Sequence, residues 1–248
     1  MKPRKPNIRL THVLKIIDLS PHLRRIVFTG DSLHGFPVGF EGGYVKVVIN
    51  PTDPSQLKMR SYTIRSFDSD LLELTLDFVI NRHEGPATNW ALSAKIGDSV
   101  GIAGPGPMKL TDYNHHSNLL VGDLTSINAI NGYMPRFKKD ADSKAILSVP
   151  TRADIIELDY DESLNTKWFV EDEEKGSLED LVIATAQTMS KDTYVFMAVE
   201  AGVIKNVRPV LTEEIGIDRL NVLAVGYWKK GVDAERFGEQ KKAGLLSA

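Results

Sequence analysis

Between Leu72 and Asn81 the chain alternates, with Leu72, Leu74, Leu76, Phe78 and Ile80 interleaved by Glu73, Thr75, Asp77 and Asn81. A period of two puts the even positions on one face of a β-strand, toward a core, and Asp77 on the other. Five further strands are predicted at residues 9–17, 23–29, 44–49, 62–67 and 99–103. Clusters of Gly, Pro, Asp and Ser separate them at the spacing of a small antiparallel sheet or barrel. One short helix interrupts the strands at residues 87–94, behind Gly85-Pro86, where a proline costs no helical hydrogen bond.

From about Leu119 the pattern changes to strands alternating with helical spacing. Strands are predicted at 119–121, 145–149, 166–170, 193–199 and 221–227. Ile127, Ile130 and Met134 lie on one helical face, Ser177-Leu178-Glu179-Asp180 caps a helix that runs to Thr188, and another helix spans about 204–215. Such alternation predicts an α/β domain with a parallel sheet. The polar stretch Thr111-Asp112-Tyr113-Asn114-His115-His116-Ser117-Asn118 links the two patterns, giving domains at 1–112 and 119–248.

Composition narrows the chemistry. At 42% hydrophobic and 25% charged residues, the 248-residue chain is ordinary for a globular protein. Thirty basic against 33 acidic side chains leave a net charge of -3, which argues against a nucleic-acid partner. Acids crowd residues 153–180, including Glu171-Asp172-Glu173-Glu174, and read as solvated surface. The chain has no cysteine, which removes disulfides, thiolate metal sites and cysteine nucleophiles, so redox chemistry requires a bound cofactor. The basic start leads into Ile8-Arg9-Leu10-Thr11-His12 rather than a signal core, and no apolar run reaches membrane-spanning length. A cytoplasmic location without a membrane partner is the expectation.

The six histidines show no metal-ligand spacing, so no metal site is expected, and neither a nucleophile elbow nor a P-loop is present. Gly104-Pro105-Gly106-Pro107 reads as a turn. Arg60-Ser61-Tyr62-Thr63 offers more: a guanidinium that grips phosphate, a flat ring two residues on along the strand, and a hydroxyl beside it. Downstream, Gly85-Pro86-Ala87-Thr88 opens a helix whose first N–H groups suit a phosphate.

A barrel with Arg-x-Tyr-Thr, a phosphate-capping helix and then an α/β domain resembles the ferredoxin–NADP reductase superfamily. Within it, Arg60 to Arg65, Asp77-Phe78-Val79, Gly85-Pro86-Ala87 with Trp90-Ala91, Gly104-Pro105, Gly122-Asp123, Glu200-Ala201 and Gly226-Tyr227-Trp228-Lys229-Lys230-Gly231 resemble the siderophore-interacting protein family. The resemblance implies an FAD-binding barrel domain, a reductase-like second domain, and FAD between them. It implies a flavin-dependent reductase that frees iron from ferric siderophores by reducing Fe(III) to Fe(II), with NADPH or ferredoxin as donor. A general flavin reductase, or a flavin- or siderophore-binding module without catalysis, is the alternative. Carried over, Arg60 binds the pyrophosphate, Tyr62 stacks on the isoalloxazine, Thr63 approaches its reactive edge, and Asp77 and Val79 touch the flavin region. Ala87 and Thr88 cap the phosphate, and Asp123 meets the adenosine end. Lys46, Lys229 and Lys230 lie beside the substrate, and the resemblance names no catalytic acid or base. Two departures fall in the second domain: Leu124 follows Gly122-Asp123 where the family tends to carry glutamate, and Val199 precedes Glu200 where glycine is usual.

Overall fold

Six strands close into a barrel: β1 (Ile8–Ser20), β2 (Leu23–Thr29), β3 (Tyr44–Ile49), β4 (Lys58–Asp68), β5 (Glu73–Val79) and β6 (Ser99–Gly106). Their order is β1-β2-β5-β4-β3-β6, with β1 pairing back onto β6 and every pairing antiparallel. The computed structural model describes residues 8–51, 58–82, 84–160 and 166–242. It divides into two compact units, Met1–Lys109 and Leu110–Ala248.

The alternation that predicts β5 sets the barrel interior: Leu74, Leu76 and Phe78 are fully buried with Ile26, Phe28, Val45 and Val47. Leu72 falls just outside the strand. The Asp68 carboxylate accepts from the N–H groups of Asp70 and Leu71, and Leu72 turns the chain with φ of 53°. Helix α1 (Pro86–Ser93) buries Ala87 and Ala91 in the barrel core, and its Trp90 ring packs on Phe28 and Phe78.

The second unit holds β7 (Ser117–Asp123), α2 (Ile127–Tyr133), β8 (Asp142–Val149), β9 (Thr166–Val170), α3 (Leu178–Gln187), β10 (Tyr194–Ala198), α4 (Ala201–Pro209), β11 (Val222–Ala224) and α5 (Ala234–Lys242). All pairings are parallel, in the order β11-β10-β7-β8-β9. The chain leaves β7 for β8 and β9, then returns to β10 on the other side of β7. The carboxyl ends of β7 and β10 therefore flank the switch point where ligands of α/β sheets bind.

Further details depart from the sequence expectation. Ser117 and Asn118, read as linker, are buried in β7, because the Ser117 hydroxyl meets Thr193 at 2.7 Å and the Asn118 amide donates to Ser143 at 3.0 Å. Helix α4 starts at Ala201, ahead of the expected Ile204, because Glu200 caps it. Pro209, which has no N–H, ends the α-helical bonding, and the next turn widens so that Ile215 donates to Val210 at 2.9 Å. The regular ladder of β11 spans only Val222–Ala224, and α5 had no counterpart in the sequence reading. Among the described residues, no helix is long and apolar enough to cross a membrane.

Candidate functional site

Strand β4 sorts its motif by parity. Arg60 and Tyr62 stand opposite Val47 and Val45 of β3, both fully buried, so they share the barrel-facing side. The Tyr62 ring lies 4.2 Å from that of Phe78, which in turn lies 5.7 Å from Trp90 of α1. One aromatic row thus joins Arg-x-Tyr to the helix behind it. Burial pushes the Tyr62 phenol well above its ordinary range, against the opposing pull of the Arg60 charge. Arg60 itself donates to the Met59 carbonyl at 2.9 Å.

Thr63 takes the other face. It is buried opposite Tyr44, and its neighbour on that face, Ser61, stands opposite Lys46, which is exposed. The β3–β4 register therefore brings Thr63 and Lys46 onto one face, diagonal to each other. Sequence reasoning missed Tyr44, whose ring lies so close over Gly106 that no Cβ fits there. The glycines flanking Pro105 were the available signal.

On β5, both oxygens of Asp77 are held by Arg25, at 2.8 and 2.9 Å, and Val79 is half-buried opposite Leu23. Ala87 and Thr88 lie in the first turn of α1. Its cap, Gly85, offers no side-chain acceptor, and the Asn89 N–H bonds back to the Gly85 carbonyl at 2.8 Å. A guanidinium, a half-buried ring and a helix start capped by glycine form a donor set that fits the phosphates and flat ring of FAD.

In the second unit Asp123 ends β7. Its Oδ1 accepts from the Thr125 N–H at 2.8 Å and hydroxyl at 2.5 Å, and its Oδ2 accepts from the Trp228 indole at 2.7 Å. Burial pushes this carboxyl up; the bonds from Thr125 and Trp228 oppose the rise and the Glu171 charge adds to it. Just past β10, one oxygen of Glu200 accepts from the N–H groups of Gly202 and Val203 and the other from the N–H of Lys230 at 3.0 Å. Asp123, Lys229 and Lys230 thus share the carboxyl edge of one sheet, with Lys229 half-buried and Lys230 exposed. Lys46 belongs to the other unit. Leu124 and Val199, the two departures, are both buried.

Comparison with known proteins covers nearly the whole chain. Residues 115–231 match the model described as siderophore-interacting protein, and residues 12–57 and 50–108 match the siderophore-interacting FAD-binding domain. The ferric vibriobactin reductase ViuB of Vibrio cholerae is 26% identical, with 90% of each chain aligned. The crystal structure of the siderophore-interacting protein SipS from Aeromonas hydrophila superposes with a TM-score of 0.81 at 31% identity, covering 98% of this chain and 99% of that one. The ferredoxin reductase of carbazole 1,9a-dioxygenase shares the fold at 14% identity and a TM-score of 0.70, over 92% of this chain and 71% of its own.

Proposed function

The chain belongs to the siderophore-interacting protein family, and from that premise we propose that it is an FAD-dependent reductase that frees iron from ferric siderophores by reducing Fe(III) to Fe(II). The observation that carries the reading is the row Tyr62–Phe78–Trp90, which ties the Arg-x-Tyr strand to the start of α1 within one barrel. When bound, FAD supplies the capacity to take up two electrons and pass them on singly. The residues supply the rest. The Arg60 guanidinium and the first N–H groups of α1, at Ala87 and Thr88, neutralise phosphate charge. Tyr62 gives one face of the ring a flat partner, Thr63 directs its hydroxyl toward the reactive edge, and Asp77 and Val79 shape the adjoining wall.

Hard oxygen chelators hold Fe(III) far more tightly than Fe(II), so a single electron loosens the metal and the protein needs no iron ligand of its own. Lys46, Lys229 and Lys230 attract the anionic ferric chelate. The donor is NADPH or a ferredoxin, and the compartment is the cytoplasm. The test is direct: purified protein is yellow, acid releases FAD, and reductant plus ferric siderophore yields Fe(II) trapped by a colorimetric ferrous chelator. A colourless protein that takes up no added FAD overturns the reading.

A further inference from the structure

Beyond the last bond of β11 the backbone keeps following β10: Val225 donates to Met197 at 2.7 Å, Tyr227 to Val199 at 3.0 Å, and Ala201 back to Trp228 at 3.0 Å. Trp228 is thereby delivered to the carboxyl edge beside Glu200. Strand β11 lies two positions from β7, roughly 10 Å at the usual strand spacing. The indole covers that distance across the end of β10 and donates to Asp123. Two residues later the Lys230 N–H donates to Glu200, and the Val232 N–H closes a turn onto Lys229. Two carboxylates at the ends of neighbouring strands thus fasten the two-lysine segment, one through the side chain before it and one through its own backbone.

We infer that Asp123 and Glu200 are positioning residues for Lys229 and Lys230, with Asp123 acting through Trp228, so that the pair meets an anionic ferric chelate already in place. The inference rests on the substrate reading proposed above. A segment fastened in advance does not lose its freedom on binding, and that saving appears as affinity. It also reassigns Asp123. Three donors already sit on its two oxygens, so an adenosine contact there has to share Oδ2 with Trp228.

Two variants separate these roles. In Asp123→Asn the carbonyl oxygen stays with the Thr125 donors, leaving an NH2 facing the indole N–H, donor against donor. In Trp228→Phe only the donor is lost and a ring remains. Trypsin cleavage at Lys229-Lys230 and KM for the ferric tris(catecholate) complex are expected to rise roughly five-fold or more in each. Trp228→Phe keeps kcat within a factor of about two, FAD content stays at the parent value, and the double variant is no worse than either single one. Parent-like cleavage and KM in Trp228→Phe overturn the inference. So does weaker FAD binding in Asp123→Asn alone, which returns Asp123 to the adenosine, and so does faster cleavage at unchanged KM. A parent that holds FAD but fails to reduce the chelate overturns the underlying reading instead, while the cleavage rates still report on the fastening.

Discussion

Arg25 and Asp77 face each other across β2 and β5 and close a two-point ion pair on the outer side of the barrel, Nε to Oδ1 at 2.8 Å and Nη2 to Oδ2 at 2.9 Å. The Asp77 side chain is 1% exposed and that of Arg25 21%. A carboxylate on the strand face opposite the core is therefore paired and buried rather than left to solvent.

Removing one member of such a pair forfeits both of its charge-assisted bonds. Asp77→Ala is expected to destabilise the protein by about 1.5–3 kcal/mol, read by urea unfolding of the apoprotein. Parental stability contradicts the structural weight given to the ion pair and leaves Asp77 only its proposed place in the flavin wall.

Arg60→Ala tests the proposed charge-assisted phosphate contact and is expected to cost about 1.5–3 kcal/mol of FAD binding, roughly ten- to a hundred-fold in Kd, with stability little changed. Equal Kd values by fluorescence titration contradict the assignment.

Tyr62 carries a pH signature. Burial raises its phenol above the ordinary 10.0, so the folded state holds the proton more tightly than the unfolded chain. Its stabilising contribution is complete below that ordinary value and is lost as pH rises through the folded one. Tyr113 and Tyr194 shift the same way. Tyr62→Phe is therefore expected to flatten part of the alkaline loss of stability above pH 10.0 while keeping an aromatic ring beside Phe78. An unaltered pH–stability curve in the variant contradicts this.

Buried Leu124 and Val199 stand where the family tends toward a polar residue and a glycine. We expect NADPH to reduce the flavin slowly and a reduced ferredoxin to do so faster, as measured by stopped-flow bleaching. Rapid bleaching by micromolar NADPH reverses the choice of donor.

Replacing Lys46, Lys229 and Lys230 together by alanine is expected to raise KM for an anionic ferric siderophore, weaken the dependence of activity on salt, and leave FAD content unchanged. An unchanged KM at low ionic strength removes the lysines from the substrate site.

Local periodicity carried most of the architecture: β2, β3 and β9 occupy their predicted residues because alternation and turn chemistry are properties of neighbours. The Ser177–Asp180 capping box was legible for the same reason. What escaped depends on partners far along the chain. Trp228 and Asp123 are 105 residues apart, and the buried hydroxyls of Ser117 and Thr193 look like linker until they meet. Among the acids read as solvated, Asp154 is fully buried, capping its own turn with Thr151, and Glu173 pairs with Arg152. In the candidate site, the spacing of Arg60 and Tyr62 was visible along one strand. The shared face of Thr63 and Lys46 needed the β3–β4 register, which no single segment encodes.

Ring closure of the six-stranded sheet has a consequence for how the protein behaves when crowded. The barrel's first strand pairs with its last, so among the described residues its sheet closes on itself, whereas the open sheet of the second unit ends in β9 and β11. Both borders are short, five and three residues, and β9 carries the exposed charge of Lys167. Strand-to-strand association between copies is discouraged at both borders of that sheet by brevity, and at β9 by charge as well.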